Sequence, residues 1–422
     1  MIKKLGIIGL GNVGEALIRS LKGADRLISR KASLKLKIKG VCDVKKDKKR
    51  IAAKYRIPFT INPYALINDP DIDIIVELIG GIEPARNIVM AALKKGKHVV
   101  TANKALLASC GKEIFSLAQA KEREVGFEAS VCAAIPLIKS ISKGLVGCEV
   151  KALYGILNGT TNYILDKMTK ERIDFNCALD QAQKKGFAEK NHTLDIEGVD
   201  TLHKLCILSY LCFGVWPSLK KVYAQGISKI SLLDILYAQE LNYRIKLLAI
   251  AKRQRDKIDL RVHPTLLPAG HLLSDISLAY NAVYLNTHPA GKLLFYGEGA
   301  GGVPTSSSVI SDIVSIALDE KGMLRKEEKL SLCDIKDIRA RYYIRFMALD
   351  RPGVLAKISK ILSTYNISIA SVTQKERDIH RFVPIVMLTH EAKEDNVHKA
   401  LSQIDKLSVI KNPSQKIRIE DL

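Results

Sequence analysis

The first fourteen residues, "MIKKLGIIGLGNVG", constrain the fold more than any other stretch of the chain. A short apolar run leads into Gly9, Gly11 and Gly14 at G-x-G-x-x-G spacing, and helical periodicity begins at Val13. In a nucleotide-binding turn of this kind the first glycine permits the sharp bend. The second lets the backbone approach a pyrophosphate, and the third lets helix and strand pack closely, with the helix N-terminus facing the anion. Any tight strand–helix turn could use glycines, so the surroundings must decide. Here "KLKIKGVCDV", "DIDIIVELIGG" and "KHVVTANK" read as further strands, and "EPARNIVMAALKKG" reads as a helix opened by Pro84 and closed by Gly96. The alternation predicts α/β architecture with a parallel, doubly wound sheet. Asp43 ends the second strand, where an acid would hold the ribose of NAD, although it lies farther on than the roughly twenty residues usual for that role. Lys45 and Lys46 beside it would suit the 2′-phosphate of NADP, so both cofactors stay open.

Farther on the pattern changes. Strand-like segments recur over 125–157, helical stretches over 160–213 and 231–253, and a glycine-rich loop, "YGEGAGGVPTSSS", precedes another helix. A polar stretch near 320–339 reads as a linker. Beyond it, "RYYIRFMALDRPGVLAKISKILSTYNISIASVTQKE", "RFVPIVMLTH" and "NVHKALSQIDKL" give a βαββαβ pattern, a plausible independent module.

Bulk properties narrow the function classes. A chain of 422 residues suggests two or three domains, and 47% apolar with 26% charged residues supplies their cores. No apolar run reaches the length of a membrane span, and glycines break any signal-peptide core, so a cytoplasmic protein is expected. The eight cysteines show no CxxC or zinc spacing; Cys132, Cys206 and Cys212 lie in apolar stretches and read as small core residues. The formal charge of +22 is diffuse lysine, densest over 30–56, with few aromatics among it and no nucleic-acid-binding signature. A solvated basic face that draws anionic small molecules is the preferred account.

The segment "LDIEGVDTLHK" (194–204) is harder to place. On a helix Asp200 and Lys204 share one face, which is the pattern of an exposed i,i+4 pair and equally of a lysine held to move a proton. On spacing alone the exposed pair is favoured.

Three longer stretches decide otherwise: "ELIGGIEPA…ALKKGKHVVTANKALLA", "GILNGTTNYIL" and "QAQKKGFAEKNHTLDIEGVDTLHKLCIL". With the glycine turn and "GEGAGGVPT", and in this order, they resemble homoserine dehydrogenase over about residues 3–325. The end of the chain, with "DRPGVLAKI" and "NISIASVTQ", resembles an ACT domain. The resemblance is to the monofunctional type, without an aspartate kinase. It implies a Rossmann-like domain over 1–135 completed by about 305–325, and an α+β catalytic and dimerisation domain over 136–304. A linker over 326–340 and a ferredoxin-like ACT domain over 341–422 would come next. The activity implied is NAD- or NADP-dependent interconversion of L-homoserine and L-aspartate 4-semialdehyde, towards threonine and methionine, in a homodimer or homotetramer.

The resemblance also implies roles for particular residues. Lys204 matches the proton donor, Asp200 its companion acid and a substrate contact, and Lys104 a second active-site lysine near nicotinamide and substrate. Glu189, Gly159 and Thr160 match substrate contacts, with a helix N-cap as the plain alternative for Thr160. Leu10, Asn12 and Val13 within the glycine turn, together with Gly80 and Gly301, join the cofactor contacts. A sodium-type site of backbone carbonyls maps to Glu128, Val131, Ala133 and Ile135. There the usual Gly-Gly is Ala133-Ala134, which alanine tolerates only if φ is negative. "AEKNHT" replaces the familiar "AEADPT" beside Glu189. Asp350, Gly353 and Asn366 mark the turns where an amino-acid effector, threonine, would bind. Alternative readings are a dehydrogenase of another small amino-acid carbonyl, and a non-catalytic sensor of NAD(P) and an amino acid.

Overall fold

The computed structural model of the protein describes residues 1–189, 191–320, 326–375, 381–411 and 413–422. They form two units that do not follow chain order. One takes Met1–Leu157, Asp200–Lys221 and Tyr280–Leu330; the other takes Asn158–Val199, Val222–Ala279 and Ser331–Leu422.

In the first unit the strands Phe59–Thr60, Lys35–Cys42, Ile2–Ile8, Ile74–Glu77, His98–Thr101 and Val125–Gly126 lie side by side in that order. All pair in parallel, and Ile7 faces Val41 on one side and Val76 on the other. This is the doubly wound order, whose chain reversal beside the first strand opens a crevice at the strands' carboxyl ends. Helices cover both faces of such a sheet, so the central strands read as unbroken apolar runs. Leu5, Ile7, Ile74 and Val76 are fully buried accordingly. Helix Asn12–Ala32 packs Leu17 and Ile18 into this core, and the much later helix Gly302–Ala317 adds Val309, Ile313 and Ile316 to it. The completion expected over 305–325 runs past the described residues at 321–325. An antiparallel trio, Gly291–Glu298, Tyr280–His288 and Glu149–Ile156, also belongs to this unit.

The second unit holds a sheet in the order Tyr243–Gln254, Lys257–Pro268, Gln415–Ile419, Arg339–Leu349, Phe382–Thr389 and Ile369–Thr373. The last strand of the chain therefore sits between Lys257–Pro268, which it joins in parallel, and Arg339–Leu349, which it joins antiparallel. Helices Val354–Thr364 and Glu394–Ile404 bury Ile358, Leu362, Val397 and Ile404 against Tyr342, Ile344 and Phe346. The βαββαβ module is thus present with its own core.

Three local expectations need correction. Residues 231–253 are not one helix: Leu232–Glu240 is helical, Asn242 turns at φ 61°, and Tyr243–Gln254 is a strand paired along its length with Lys257–Pro268. An apolar run such as "IKLLAIA" has no periodicity that separates strand from buried helix, and the long hairpin decides. Of "EVGFEASV" only Val125–Gly126 is strand, and Glu128–Ser130 forms a 3₁₀ turn. The polar stretch 326–340 is no plain linker, because Ser331–Leu332 pairs with Lys257 and Ile258 and Ile335–Asp337 is a 3₁₀ turn.

Candidate active site

At the glycine turn Gly9 takes φ +105°, and a Cβ there would lie 2.7 Å from the Leu78 carbonyl carbon and oxygen. One at Gly14 would lie 2.1 Å from the Gly9 oxygen, whereas Gly11 is exposed with open space around it. Gly11 is the N-cap of helix Asn12–Ala32 and no side chain among the described residues caps that end, which suits its N–H groups to an anion. The Leu10 N–H donates to Asp43 Oδ2 at 2.8 Å and the Lys45 N–H to Asp43 Oδ1 at 2.9 Å. Asp43 thereby ties the second strand's end to the turn. Asn12, Lys45, Gly80 and Gly301 are exposed, Val13 is half-buried and Leu10 buried. A Cβ on Gly302 would stand 3.0 Å from the Asn12 oxygen, so the "GEGAGG" loop closes on the start of this helix. A bare helix end, an open glycine and a carboxylate at the next strand fit a dinucleotide.

Lys104 begins helix Lys104–Ala120 at the end of a parallel strand, and buried polar groups hold that start. Glu77 accepts the Thr101 hydroxyl at 2.6 Å and the Ile79 N–H at 2.8 Å. The Asn103 N–H donates to the Thr101 hydroxyl, its amide donates to the Gly81 carbonyl, and its oxygen caps the Leu106 N–H. Burial pushes the Glu77 carboxyl above its ordinary value against these hydrogen bonds.

Asp200 and Lys204 lie one turn apart on helix Val199–Phe213, with side chains 6% and 9% exposed. Lys204 Nζ donates to Asp200 Oδ2 at 2.8 Å and to the Leu157 carbonyl at 2.5 Å. The other Asp200 oxygen bridges Lys104 Nζ at 2.8 Å, and Lys104 is 42% exposed. One carboxylate thus stands between a sealed ammonium and an open one. That excludes the exposed surface pair suggested by spacing. Asn281 Nδ2 donates to the same Leu157 carbonyl at 3.0 Å. Cys132 lies within the field of this cluster: burial pushes its thiol up to about 11, while Lys204 and Asn281 oppose the shift. Burial lowers the neighbouring His203 imidazole, with Asp200 opposing.

The loop after the last parallel strand carries Glu128, Val131, Ala133 and Ile135, all buried. Both Glu128 oxygens accept backbone N–H groups, from Ile138 at 2.7 Å and Lys139 at 2.9 Å. The Ser308 hydroxyl donates to the Ala133 carbonyl, and the Glu128 N–H donates to Asp312 Oδ2. Burial raises Asp312 to about 7, with Lys139 opposing. Cys132 and Ala133 take φ 55° and 37°, so the alanine in place of the usual glycine sits in the left-handed region. Among the described residues no group of three or more His, Cys, Asp and Glu side chains is set to hold a metal.

In the second unit the cap of helix Gly159–Glu171 is Asn158, whose side chain accepts the Thr161 N–H; Thr160 does not fill that role. The Thr160 hydroxyl donates to the Phe187 carbonyl at 2.6 Å. Thr160 carries a methyl on Cβ and lies inside the helix, whereas the short Asn158 amide precedes it with extended backbone, as a cap requires. Asn158 Nδ2 also donates to Asp195 Oδ1 at 2.7 Å. A Cβ on Gly159 would lie 2.5 Å from the Ala279 oxygen. Glu189 is exposed, and its neighbour Lys190 in "AEKNHT" lies outside the described residues. In the C-terminal module Gly353 (φ +83°) caps helix Val354–Thr364, Asn366 (φ 55°) lies just past its end, and the Asp350 N–H donates to the Arg381 carbonyl.

Sequence reasoning missed Asn103, Asn158, the Leu157 carbonyl and Asn281. Asn103 in "TANKALLA" and Asn158 in "GILNGTTNYIL" are short amides before helices, a readable cap signal. Nothing local marks Leu157 or Asn281.

A doubly wound sheet, a glycine turn fit for a dinucleotide and a lysine–aspartate–lysine cluster define a nicotinamide-dependent oxidoreductase. The family model described as "Homoserine dehydrogenase, NAD binding domain" matches residues 9–128, "Homoserine dehydrogenase" matches 136–314, and "ACT domain" matches 342–409. A homoserine dehydrogenase of Neisseria gonorrhoeae is 39% identical, covering 99% of this chain and 98% of its own; that of Pseudomonas aeruginosa is 38% identical, covering 99% of each. The crystal structure of a homoserine dehydrogenase from Thiobacillus denitrificans superposes with a TM-score of 0.93 at 41% identity, covering 100% of this chain and 99% of that one. A hyperthermophilic archaeal homoserine dehydrogenase in complex with NADPH superposes with a TM-score of 0.66 at 26% identity, covering 77% and 100%. The chain belongs to the homoserine dehydrogenase family.

Proposed function

We propose that this protein interconverts L-homoserine and L-aspartate 4-semialdehyde with NADP or NAD, and that Lys204 moves the proton of the reacting hydroxyl. The cluster of buried Asp200 and Lys204 with half-open Lys104 carries the reading. A nicotinamide, when bound, supplies or takes up the hydride. The glycine turn Gly9–Gly14 would hold its pyrophosphate, Asp43 or Lys45 its adenosine end, and Gly80 and Gly301 would flank it.

In the reduction direction a carbonyl oxygen gains charge as its carbon receives hydride, and an ammonium hydrogen-bonded to it hands over a proton. Lys204 is suited to this. It is buried, and its nitrogen donates to Asp200 Oδ2 at 2.8 Å and to the Leu157 carbonyl at 2.5 Å. Asp200, gripped by both lysines, fixes where that nitrogen points. Lys104, half open, would meet the substrate's oxygen or carboxylate. By the family resemblance Glu189 would take the amino acid's ammonium, and Gly159 and Thr160 would be further substrate contacts. The NAD(P)/amino-acid sensor reading is disfavoured, because a sensor has no use for a second lysine on one buried carboxylate.

The finer assignments belong to the same reading. A sodium-type ion would use carbonyls at Val131, Ala133 and Ile135 and near Glu128, whose carboxylate is engaged with backbone N–H groups; the positive φ at Ala133 and the Ser308 hydroxyl on its carbonyl count against that site. The ACT module would bind threonine at turns marked by Asp350, Gly353 and Asn366 and would lower activity, within a homodimer or homotetramer working in the cytoplasm. No helix among the described residues is long and apolar enough to cross a membrane, and no nucleic-acid partner is invoked. The test is purified protein with L-homoserine, following reduced-cofactor absorbance separately with NAD and NADP. Homoserine-dependent formation of reduced cofactor is expected; none with either would refute the reading. Unchanged activity and melting temperature in saturating threonine would remove the regulatory part.

A further inference from the structure

Lys204 is held by two acceptors, and only Asp200 shares its helix. The other, the Leu157 carbonyl, lies between strand Glu149–Ile156 and helix Gly159–Glu171, outside both elements. A carbonyl oxygen has two lone pairs. Lys204 takes one and the Asn281 amide takes the other, at 3.0 Å. The direction of a peptide plane outside regular structure is set by such partners.

Asn281 is itself rigidly seated. It is 0% exposed and pairs with Gly297 at the start of strand Tyr280–His288. A Cβ on Gly299 would lie 2.0 Å from the Asn281 amide carbon and nitrogen, so only glycine at 299 leaves this amide its place. Its other end is left over: Asn281 Oδ1 is buried and finds no hydrogen-bond partner among the described residues. A buried amide with an orphaned oxygen is a poor choice for packing alone, and such exceptions call for an explanation beyond stability.

We propose that Asn281 is a positioning residue for the proton transfer: by fixing the Leu157 carbonyl it fixes the direction in which Lys204 presents its ammonium. This rests on the proton-transfer role proposed for Lys204. The charged and titratable groups around that nitrogen are Asp200 and Lys104, with the Cys132 thiol beside Asn281. The glycine at 299 acquires a role in the same step, as the floor under Asn281.

The experiment compares wild type, Asn281→Ala, Asn281→Asp and Lys204→Ala in the full-length protein. It records kcat and KM for homoserine across pH, dinucleotide affinity and melting temperature. Asn281→Ala is expected to lower kcat about tenfold or more while dinucleotide affinity and the KM for homoserine stay close to wild type. Asn281→Asp keeps the packing on Gly299 and places a carboxylate near Lys204. It should displace the pH–kcat profile from that of wild type, which a merely structural role would not do. If Asn281→Ala does not fold, the Asp variant decides alone. Wild-type kcat and a superimposable pH profile in the folded variants, with Lys204→Ala inactive, would overturn the inference alone. Wild-type turnover in Lys204→Ala would overturn the proton-transfer role of Lys204 and this inference with it.

Discussion

Two lysines lie at almost the same depth, Lys204 in the first unit at 7% exposure and Lys246 in the second at 4%, and their surroundings differ completely. Lys204 has a carboxylate at 2.8 Å that a second lysine grips from the other side. Lys246 donates to the Asn162 amide oxygen at 3.0 Å and to the Ile276 carbonyl, and no carboxylate stands within ion-pairing distance of it among the described residues. Burial pushes its ammonium down to about 8, with Asp166 opposing. Burial by itself therefore does not single out a proton-transfer lysine. In the proposed reading a charged partner sets Lys204 apart, together with a neighbouring lysine open to solvent. Lys246 pins the loop that runs past Ile276 and is a structural residue.

The contrast between the two lysines is most exposed at Asp200. Asp200→Asn removes the charge that both Lys104 and Lys204 meet, and kcat should fall by about 10²-fold or more with dinucleotide affinity retained. Steady-state rates and a binding titration check this, and a fall in affinity alone would move Asp200 out of the chemistry.

Lys246→Met should leave turnover close to wild type and change stability with a definite sign. The unfolded ammonium titrates near 10.5 and the folded one near 8. Below pH 8 both states hold the proton, so stability sits at its lower level. Between about pH 8 and 10.5 the unfolded state binds more protons, so stability rises with pH. Urea midpoints of wild type and variant across this window should differ by a term that grows with pH, at most about 3 kcal/mol. Parallel curves would show that Lys246 titrates normally.

The smallest effect is expected at Ala133. Its φ of 37° costs a non-glycine residue about 1–2 kcal/mol, and glycine returns about 0.4–1 kcal/mol of that through the flexibility of the unfolded chain. Ala133→Gly should raise stability by at most about 1.6 kcal/mol, measured as a shift in melting temperature. A loss of stability would mean that the alanine methyl contributes packing.

The first unit's sheet was readable in the sequence because parallel strands buried on both faces are short apolar runs punctuated by glycine, as around Gly9 and Gly96. Asp200 and Lys204 kept a helical spacing that named their shared face. Their burial could not be read that way, since the same spacing serves a solvated pair. Strand Tyr243–Gln254 escaped because its pairing partner, not its own pattern, sets its conformation. Lys246 was invisible with it. Asn281 and the Leu157 carbonyl were illegible for another reason. The Leu157 oxygen meets Asn281 across 124 residues of chain and Lys204 across 47, and a backbone oxygen has no side chain to signal it. The positive φ at Cys132 and Ala133 was likewise hidden, because alanine and cysteine are not the residues that usually announce it.

The most direct measurement is hydride transfer by Lys204→Ala, followed as oxidation of reduced cofactor on addition of L-aspartate 4-semialdehyde, beside a titration of dinucleotide binding. Turnover should be lower by about 10²–10⁴-fold, with binding intact and partial recovery on adding a small primary amine. Turnover equal to wild type without the amine would contradict the role proposed for Lys204.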